Sequence, residues 1–199
     1  MKLVLASDNK GKLREFGALF ADHGIEVVSQ GSLGVTPCEE PYGTFLENAL
    51  AKARNAAKAT GLAAMADDSG ITAHALVTEP GVHSARYSGE KSNDAANNAK
   101  LVERLSVFED KSAHYTCVLV AVRSHDDPDP IVCEGCWYGE IVATPKGDGG
   151  FGYDPHFYLP EKGCTAAELS AEEKNQLSHR GKAMRLLLTE MQERWGVGR

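Results

Sequence analysis

Two adjacent aspartates, Asp67 and Asp68, precede Ser69 in the stretch MADDSG at 65–70. Two carboxylates this close favour either a shared cation or a raised pKa for one of them. At the end of an apolar strand, beside a small residue and a glycine, they suit Mg²⁺ binding or the activation of a water molecule. A turn that one aspartate caps through its own backbone is the structural alternative. That alternative explains one aspartate and does not explain why a second one lies next to it.

A second polar cluster, SDNKGK, begins at Ser7 and follows a short apolar run. We interpret it as the junction of a strand and a helix, where Asn9 is a short polar side chain and Gly11 lets the backbone approach a ligand. Amides at a helix N-terminus, together with Lys10 and Lys12, can bind phosphate. An ordinary helix cap with solvated lysines is the structural alternative, and the phosphate-loop pattern GxxxxGK[ST] is absent.

Charged and polar side chains also surround the helical segment TFLENALAKARNAAKATG. Asn48 and Lys52 lie one turn apart on that helix and share a face. Glu39 and Glu40 precede it in a loop that could place a carboxylate beside a metal ion. Solvated acids explain either glutamate taken singly, so both interpretations stay open at this point.

Glycines frame two aromatic residues in GDGGFGYDP, and a basic set follows in EEKNQLSHR. Phe151 and Tyr153 can present a ring to a base or a sugar. Lys174, His179 and Arg180 are donors for a phosphate or for the edge of a purine. Core packing of Phe151 and a solvated basic face are the structural alternatives. Taken together, the four clusters match the triphosphate, the metal and the base of a nucleotide.

Composition restricts the class of partner. The 199 residues carry a formal net charge of −7, which argues against a nucleic-acid polymer because phosphate-backbone binders usually carry a basic excess. No apolar run is long enough to span a membrane, and MKLVLASDNK turns polar too early for a signal peptide. We therefore expect a cytoplasmic protein with no membrane partner.

Five scattered cysteines do not suggest a disulfide framework. The stretch CEGC places Cys133 and Cys136 three residues apart in an expected strand, and therefore on opposite faces. A zinc or redox site at this pair is accordingly disfavoured.

Periodicity and capping signals predict a single α/β domain over 1–199 with a mixed central sheet covered by helices. Helices are expected over DNKGKLREFGALFADHG, TFLENALAKARNAAKATG, NDAANNAKLVERLSVF and, as one or two helices, SAEEKNQLSHRGKAMRLLLTEMQERW. Capping boxes start at Thr44 and at Ser170, and a further helix start at Ser178 would place His179 in its first turn. Strands are expected over KLVLAS, IEVVSQ, the run into DDSG, AHYTCVLVAVRS and PIVCEGCWYGEIVAT, the last two as an antiparallel pair, with a loop over PKGDGGFGYDP.

The chain resembles a known family, the inosine/xanthosine triphosphate pyrophosphatases, which hydrolyse non-standard purine nucleoside triphosphates. The resemblance runs nearly end to end and rests on the segments SDNKGKLREF, EEPYGTFLENALAKAR, ADDSGI, PGVHSARYSG, GGFGYDPHF and AELSAEEKNQLSHRGKA. Family members often have Thr-Gly-Asn or Thr-Asn-Asn where this chain has Ser7, Asp8 and Asn9. The difference adds a carboxylate beside the expected phosphate site.

The resemblance implies an elongated mixed sheet flanked by helices, two lobes around a deep cleft, and a homodimer. It also implies Mg²⁺-dependent hydrolysis of ITP, dITP or XTP to the monophosphate and pyrophosphate, which cleanses the nucleotide pool. Asp68 would be the catalytic proton acceptor and a Mg²⁺ ligand, with Asp67 and either Glu40, which we favour, or Glu39 as further metal ligands. The implied substrate-binding residues are Ser7, Asp8, Asn9, Lys10, Gly11, Lys12, Lys52, Ser69, Phe151, Gly152, Tyr153, Asp154, Lys174, His179 and Arg180.

Two other functions compete with this one. A related pyrophosphatase fold acts on modified pyrimidine nucleotides, and a nucleotide-sensing protein could keep the pocket without hydrolysis. The intact acids of ADDSG disfavour the sensing protein. A purely structural protein gives no reason for Asp67 beside Asp68.

Overall fold

A seven-stranded mixed sheet organises the chain in a computed structural model, which describes residues 1–89 and 93–198. The strands are β1 (Lys2–Leu5), β2 (Glu26–Ser29), β3 (Ala63–Ala73), β4 (Ser112–Val122), β5 (Ile131–Ile141), β6 (Phe157–Leu159) and β7 (Cys164–Thr165), in the order β2-β1-β3-β4-β5-β6-β7. β1 pairs in parallel with β2 and β3, whereas β6 pairs antiparallel with β5 and β7. The predicted α/β class with a mixed sheet is confirmed, and β4 and β5 are neighbours as expected.

Five α-helices accompany the sheet within the described ranges. They are α1 (Lys10–Ala21), α2 (Phe45–Thr60), α3 (Asp94–Leu105), α4 (Ala171–Leu177) and α5 (His179–Trp195). α2 ends at Gly61, whose φ of 68° is the left-handed conformation that glycine adopts without strain. The predicted capping box at Ser170 is present. Ser178 separates α4 from α5 and accepts the N–H of Gly181 at 3.1 Å, so the last helical segment is two helices.

The chain divides into two compact units. Unit 1 consists of Met1–Asp68, Val118–Glu134 and Ala183–Arg199, and unit 2 consists of Ser69–Cys117 and Gly135–Lys182. The boundary falls inside β3, β4, β5 and α5. The expectations of a single domain over 1–199 and of two lobes around a cleft stay predictions.

Each unit has its own hydrophobic core. In unit 1, the small side chains of Ala49, Ala53 and Ala56 let α2 approach the buried valines of the sheet, such as Val4 and Val118, closely. In unit 2, the core is aromatic and combines the rings of Tyr115, Trp137, Tyr153 and Phe157 with Leu101 and Leu105 of α3. The core of unit 2 therefore carries buried hydroxyl and indole groups that need hydrogen-bond partners.

The sequence predicted that β3 ends at the paired aspartates. In the structure the strand continues to Ala73. The error has a tertiary cause, because residues 79–84 supply hydrogen bonds that local propensity does not reveal. Ile71 donates its N–H to Ser84 Oγ at 2.8 Å, and Ala73 donates its N–H to the carbonyl of Glu79 at 2.9 Å. Asp67 and Asp68 consequently lie in the middle of a long strand and not at its end.

Two further expectations concern the cysteines and membranes. Cys133 is buried in β5 while Cys136 is half-buried, and their spacing in the strand places them on opposite faces. None of the five cysteines, all within the described ranges, forms a disulfide. No helix among residues 1–89 and 93–198 combines the length and the apolar character that crossing a membrane requires.

Asp127, in the turn between β4 and β5, provides a test of stability against pH. Its carboxylate accepts the N–H of Arg123 at 2.8 Å and of Asp129 at 3.0 Å. Burial acts to raise the pKa of Asp127, but these two hydrogen bonds and the Arg123 guanidinium outweigh burial and lower it. A lowered folded-state pKa means that the stabilisation is present above the unfolded-state pKa and is lost as pH falls through the folded-state pKa.

Asp127→Asn is therefore expected to lower the free energy of unfolding by about 2 kcal/mol at pH 7, because an amide cannot accept both N–H groups. The difference from the unsubstituted protein should shrink as the pH falls below the ordinary aspartate range. Urea unfolding at pH 7, 5 and 3 measures it. Glu109→Gln, at an exposed position in the loop before β4, serves as the control and should leave stability unchanged. Equal stability of Asp127→Asn and the unsubstituted protein at pH 7 would contradict the prediction.

Candidate active site

The side chains of Glu40 and Asp68 converge on the ammonium group of Lys52 in unit 1. Lys52 Nζ lies 2.5 Å from Glu40 Oε1 and 3.5 Å from Asp68 Oδ1. Asn48, one turn before Lys52 on α2, hydrogen-bonds to Asp68. The Asn48 amide also accepts the N–H of Tyr42 at 3.1 Å and donates to its carbonyl at 3.2 Å, which holds the loop that carries Glu40. Two carboxylates thus point at one cationic position.

Burial and charge make Asp68 a stronger base than an exposed aspartate. Burial raises the pKa of the Asp68 carboxyl, Lys52 opposes this effect, and Glu40 adds to it, so the net pKa is raised. Burial acts to lower the pKa of Lys52, but Asp68 and Glu40 outweigh burial and raise it. Lys52 therefore stays protonated at neutral pH, and the shift makes the Asp68 carboxylate more basic than an exposed aspartate.

Asp67 has a charge partner of its own. Successive side chains of a strand point to opposite faces, and Lys12 Nζ lies 2.8 Å from each carboxylate oxygen of Asp67. The Asp67 side chain is 1% exposed, so this ion pair is buried on the acid's side and ties the first turn of α1 to β3. The two adjacent acids thus have different partners, because Asp67 pairs with Lys12 of α1 and Asp68 contacts Lys52 of α2.

The loop before α1 is hydrogen-bonded within itself. Asn9 caps α1, because its Oδ1 accepts the N–H of Gly11 at 2.8 Å and of Lys12 at 3.1 Å. Ser7 Oγ accepts the N–H of Asn9 at 3.2 Å. Side chains of the loop therefore already accept hydrogen bonds from backbone amides that were predicted to bind phosphate. The helix cap that was the structural alternative is present.

Asp8, which departs from the family pattern, also has a structural partner. Its Oδ1 accepts the N–H of Gly31 at 2.7 Å. A Cβ at Gly31 would lie 2.3 Å from this oxygen, so the contact requires glycine. The Asp8 carboxylate thereby fixes the turn that follows β2, while Lys10 is exposed and open to a ligand.

Asp154 organises the second predicted cluster, in unit 2. The Asp154 side chain is 4% exposed and forms an ion pair with Lys174. Its Oδ2 accepts the N–H of Phe151 at 2.8 Å, and its Oδ1 accepts the hydroxyl of Tyr115 at 3.3 Å. A Cβ at Gly150, which has a φ of 73°, would lie 2.1 Å from Oδ2, so the turn needs glycine there. One buried carboxylate thus shapes the turn that carries Phe151.

The ring of Phe151 is exposed and accompanied by two cations. It is 59% exposed, which rules out the core packing considered as its structural alternative. Lys174 Nζ lies 4.5 Å and the Arg180 guanidinium carbon 5.6 Å from the ring centre. An aromatic face beside two donors can stack on a flat heterocycle and hydrogen-bond to its edge.

The residues that flank Phe151 are held from other elements of unit 2. Gly152 donates its N–H to Asp94 Oδ2 and accepts from Asn98 Nδ2, both at 2.8 Å. Tyr153 is buried and donates its hydroxyl to the carbonyl of Ser84 at 2.7 Å. Gly152 and Tyr153 are therefore positioned by the start of α3 and by the segment after β3.

Tyr115 and Trp137, which were not predicted as site residues, pack against His179. The rings of Tyr115 and His179 stack with their centres 4.6 Å apart and their planes at 6°. Trp137 stacks on His179 at 6.4 Å. Burial raises the pKa of the Tyr115 phenol and the charge of Asp154 raises it further, so Tyr115 keeps its proton and donates it. The two aromatics lie on β4 and β5, and nothing local in the sequence connects them to α5.

The structure brings the predicted residues together in two groups. Unit 1 contains Glu40, Lys52 and Asp68, together with the separate pair Lys12 and Asp67. Unit 2 contains Phe151, Asp154, Lys174 and Arg180, with His179 attached through Tyr115. Glu39 is exposed, whereas Glu40 makes the contact to Lys52, and Ser69 is half-buried in β3.

The carboxylates of Glu40 and Asp68 fit a hard divalent cation by donor type. Mg²⁺ commonly takes one or two carboxylates together with waters and substrate phosphates. Within the described ranges, no group of three or more His, Cys, Asp or Glu side chains could hold a metal ion. Two protein carboxylates that already point at one cation are consistent with a site that a substrate phosphate completes.

The Ham1 family model matches residues 3–190 of this chain. The chain is 59% identical over 190 residues to the dITP/XTP pyrophosphatase of Ralstonia nicotianae, covering 94% of each protein. It is 59% identical over 192 residues to the dITP/XTP pyrophosphatase of Nitrosomonas europaea, covering 96% of this chain and 95% of the other. A HAM1 protein from Coxiella burnetii superposes with a TM-score of 0.94 at 47% identity, over 97% of this chain and 99% of that one.

Proposed function

This chain belongs to the Ham1 family, and from that premise we propose that it hydrolyses non-standard purine nucleoside triphosphates to the monophosphate and pyrophosphate. The proposed substrates are dITP, ITP and XTP, because relatives with 59% identity carry the name dITP/XTP pyrophosphatase. One geometric observation supports the reaction most directly, namely that Glu40 and Asp68 point at a single cationic position. Such a position suits the charge of a triphosphate-bound cation.

Asp68 is the proposed proton acceptor. Attack of water on the α-phosphorus requires removal of a proton from that water, and the raised pKa of Asp68 favours its transfer to this carboxylate. Glu40 and Asp68 would hold Mg²⁺, which would supply charge neutralisation on the phosphates when bound. Asp67, whose carboxylate is paired with Lys12, would join them as a metal ligand only by releasing that lysine. Lys52, already placed between two carboxylates, would turn its positive charge to the departing pyrophosphate.

The residues from Ser7 to Lys12 are proposed to bind the phosphates mainly through lysine. Asn9 already uses the amides of Gly11 and Lys12, so the ammonium group of exposed Lys10 is the donor open to a polyanion. The internal hydrogen bonds of the loop fix the backbone from which Lys10 projects. A rigid loop loses little conformational entropy when its ligand binds.

The base is proposed to bind at Phe151, Lys174 and Arg180. The exposed ring offers a stacking surface, and a donor from Arg180 or a backbone amide can meet the oxygen at position 6 of hypoxanthine or xanthine. Adenine carries an amino group at this position. A donor would then face a donor in a desolvated site, which typically discriminates strongly between substrates.

A pyrophosphate-release assay with ITP, dITP, XTP, GTP, ATP and dUTP tests the proposed substrate class. We expect the three non-standard purine nucleotides to be hydrolysed with a kcat/KM at least about 100-fold above that of ATP, the discrimination that one mismatched buried donor can supply. EDTA should abolish turnover, and added Mg²⁺ should restore it. The released nucleoside monophosphate, identified by chromatography, distinguishes cleavage after the α-phosphorus from removal of the terminal phosphate.

The same assay separates the competing functions. Preferred hydrolysis of dUTP or of methylated pyrimidine triphosphates would favour the pyrimidine enzyme. Tight binding of ITP without release of pyrophosphate in the presence of Mg²⁺ would favour a nucleotide sensor. Size-exclusion chromatography with light scattering tests the homodimer, which the family resemblance implies.

A further inference from the structure

Two histidines outside the candidate active site face each other on the solvent side of the sheet in unit 2. His74 directly follows β3, and His114 lies near the start of β4. His74 Nε2 and His114 Nδ1 are 2.8 Å apart. His74 is exposed and His114 is half-buried, so both rings can be reached from solvent.

The Ser112 hydroxyl and, through it, the Asp110 carboxylate orient the His74 ring on the side away from His114. Ser112 Oγ lies 2.9 Å from His74 Nδ1. The Ser112 hydroxyl also hydrogen-bonds to Asp110, whose pKa is lowered by this contact and by the Ser112 N–H. When the Ser112 hydroxyl donates to Asp110, it must accept from His74 Nδ1–H. The lone pair of His74 is then on Nε2, the nitrogen that faces His114.

We propose that His74 and His114 form a surface site for a borderline transition-metal cation such as Zn²⁺ or Ni²⁺. Imidazole nitrogens select these ions over Mg²⁺, which prefers oxygen ligands. The hydrogen-bonded chain from His74 through Ser112 to Asp110 is the arrangement that orients metal-binding histidines in proteins. The cation replaces the proton shared between Nε2 and Nδ1, and water completes its coordination.

The distance between the two nitrogens is close to that of a tetrahedral site. Zn–N bonds of about 2.0–2.1 Å at the tetrahedral angle place two ligand nitrogens roughly 3.3 Å apart. Opening the pair from 2.8 Å therefore needs a shift of about 0.5 Å and a rotation of the rings about χ2, which is a soft torsion in histidine. Exposure of His74 leaves room for that rotation.

Strand alternation explains why these residues share a face. Ser112 and His114 are two residues apart in β4, so both point to solvent, while Ala113 and Tyr115 between and beyond them are buried in the core. Tyr138 of β5 extends the row, with its ring 5.5 Å from that of His114 and 65% exposed. The sheet thus holds the second ligand on a rigid strand.

Titration with Zn²⁺ by isothermal calorimetry, in an excess of Mg²⁺ that occupies the carboxylates of unit 1, tests the proposal. We expect one saturable site per chain in the intact protein. His74→Gln and His114→Gln should each weaken Zn²⁺ affinity at least about tenfold, and Ser112→Ala about tenfold through loss of ring orientation. His125→Gln removes an exposed histidine from the turn between β4 and β5 and should leave the affinity unchanged.

A second readout separates binding from misfolding. Histidine ring resonances of His74 and His114 should shift on addition of Zn²⁺ and broaden on addition of Ni²⁺, in protein whose circular dichroism is unchanged. Absence of saturable Zn²⁺ binding in the intact protein would overturn the proposal, and so would an affinity that His74→Gln and His114→Gln leave intact. In either case the two histidines only share a proton.

Discussion

Asp68→Asn is expected to fold and to bind nucleotide, but to lower kcat by a factor of about 10² to 10⁴, the range that general-base catalysis contributes. The asparagine amide keeps the shape of the side chain and its position beside Lys52, yet it cannot accept a proton from water. Steady-state release of pyrophosphate from ITP measures kcat, and calorimetry with ITP in the presence of EDTA measures binding. Asp22→Asn, the same change at an exposed position after α1, is the matched control and should leave both quantities unchanged.

The stability of the Asp68 variant and the pH profile of the intact enzyme add independent readouts. Because burial and Glu40 raise the pKa of Asp68 in the free protein, the acid limb of the kcat/KM profile, which reports the free enzyme, should lie above the ordinary aspartate range, with activity lost as pH falls. Replacement of this desolvated carboxylate by a neutral amide should not lower the melting temperature. Asp67→Asn, by contrast, leaves the Lys12 ammonium without its buried partner and should lower the melting temperature. A kcat of Asp68→Asn within threefold of the unsubstituted enzyme would remove Asp68 from the reaction.

Asp154→Asn is expected to have the largest effect on stability, a loss of about 3 kcal/mol in the free energy of unfolding. The side chain is 4% exposed, and its charge compensates Lys174 while its oxygens accept from Phe151 and Tyr115. An amide removes the charge and places a donor where an acceptor is needed. For a chain of this size the loss corresponds to a fall of roughly 6 to 12 °C in the melting temperature. KM for ITP should rise as well, because the turn that carries Phe151 loses its anchor.

A double-mutant cycle isolates the ion pair from the rest of the turn. Lys174→Met and Asp154→Asn should together destabilise the protein by less than the sum of their single effects, with a coupling free energy of about 1–3 kcal/mol. Asp148→Asn, at an exposed position in the same glycine-rich loop, is the control and should leave the melting temperature unchanged. Additive effects in the cycle would mean that Asp154 acts through the backbone of the loop and not through Lys174.

The helices and their ends were predictable because the signals that set them are local. Thr44 and Gly61 mark the limits of α2, and Ser178 marks the break between α4 and α5, each through hydrogen bonds or backbone angles within a few residues. The sequence also identified most of the candidate site, since acids, lysines and a glycine-framed aromatic in these numbers have few structural explanations when considered together. Their grouping followed from several motifs and not from any one of them.

Tertiary structure decided what each member of those motifs does. The resemblance implies that Asp8 and Asn9 bind substrate, and the fold gives each of them a hydrogen bond within the protein: Asn9 caps α1, and Asp8 accepts the N–H of Gly31. The second half of β3 depends on hydrogen bonds from Ile71 to Ser84 and from Ala73 to Glu79. These partners follow later in the chain, so a prediction from local propensity ended the strand too early.

Residue types and spacing by themselves determined the α/β class, the positions of the α-helices and the inventory of chemical groups, because those depend on neighbours along the chain. Only the fold decided which ion-pair partner each of Asp67 and Asp68 has. Adjacent side chains of a strand point to opposite faces. Lys12 of α1 therefore contacts Asp67, and Lys52 of α2 contacts Asp68. Contacts across such distances in sequence leave no local signal.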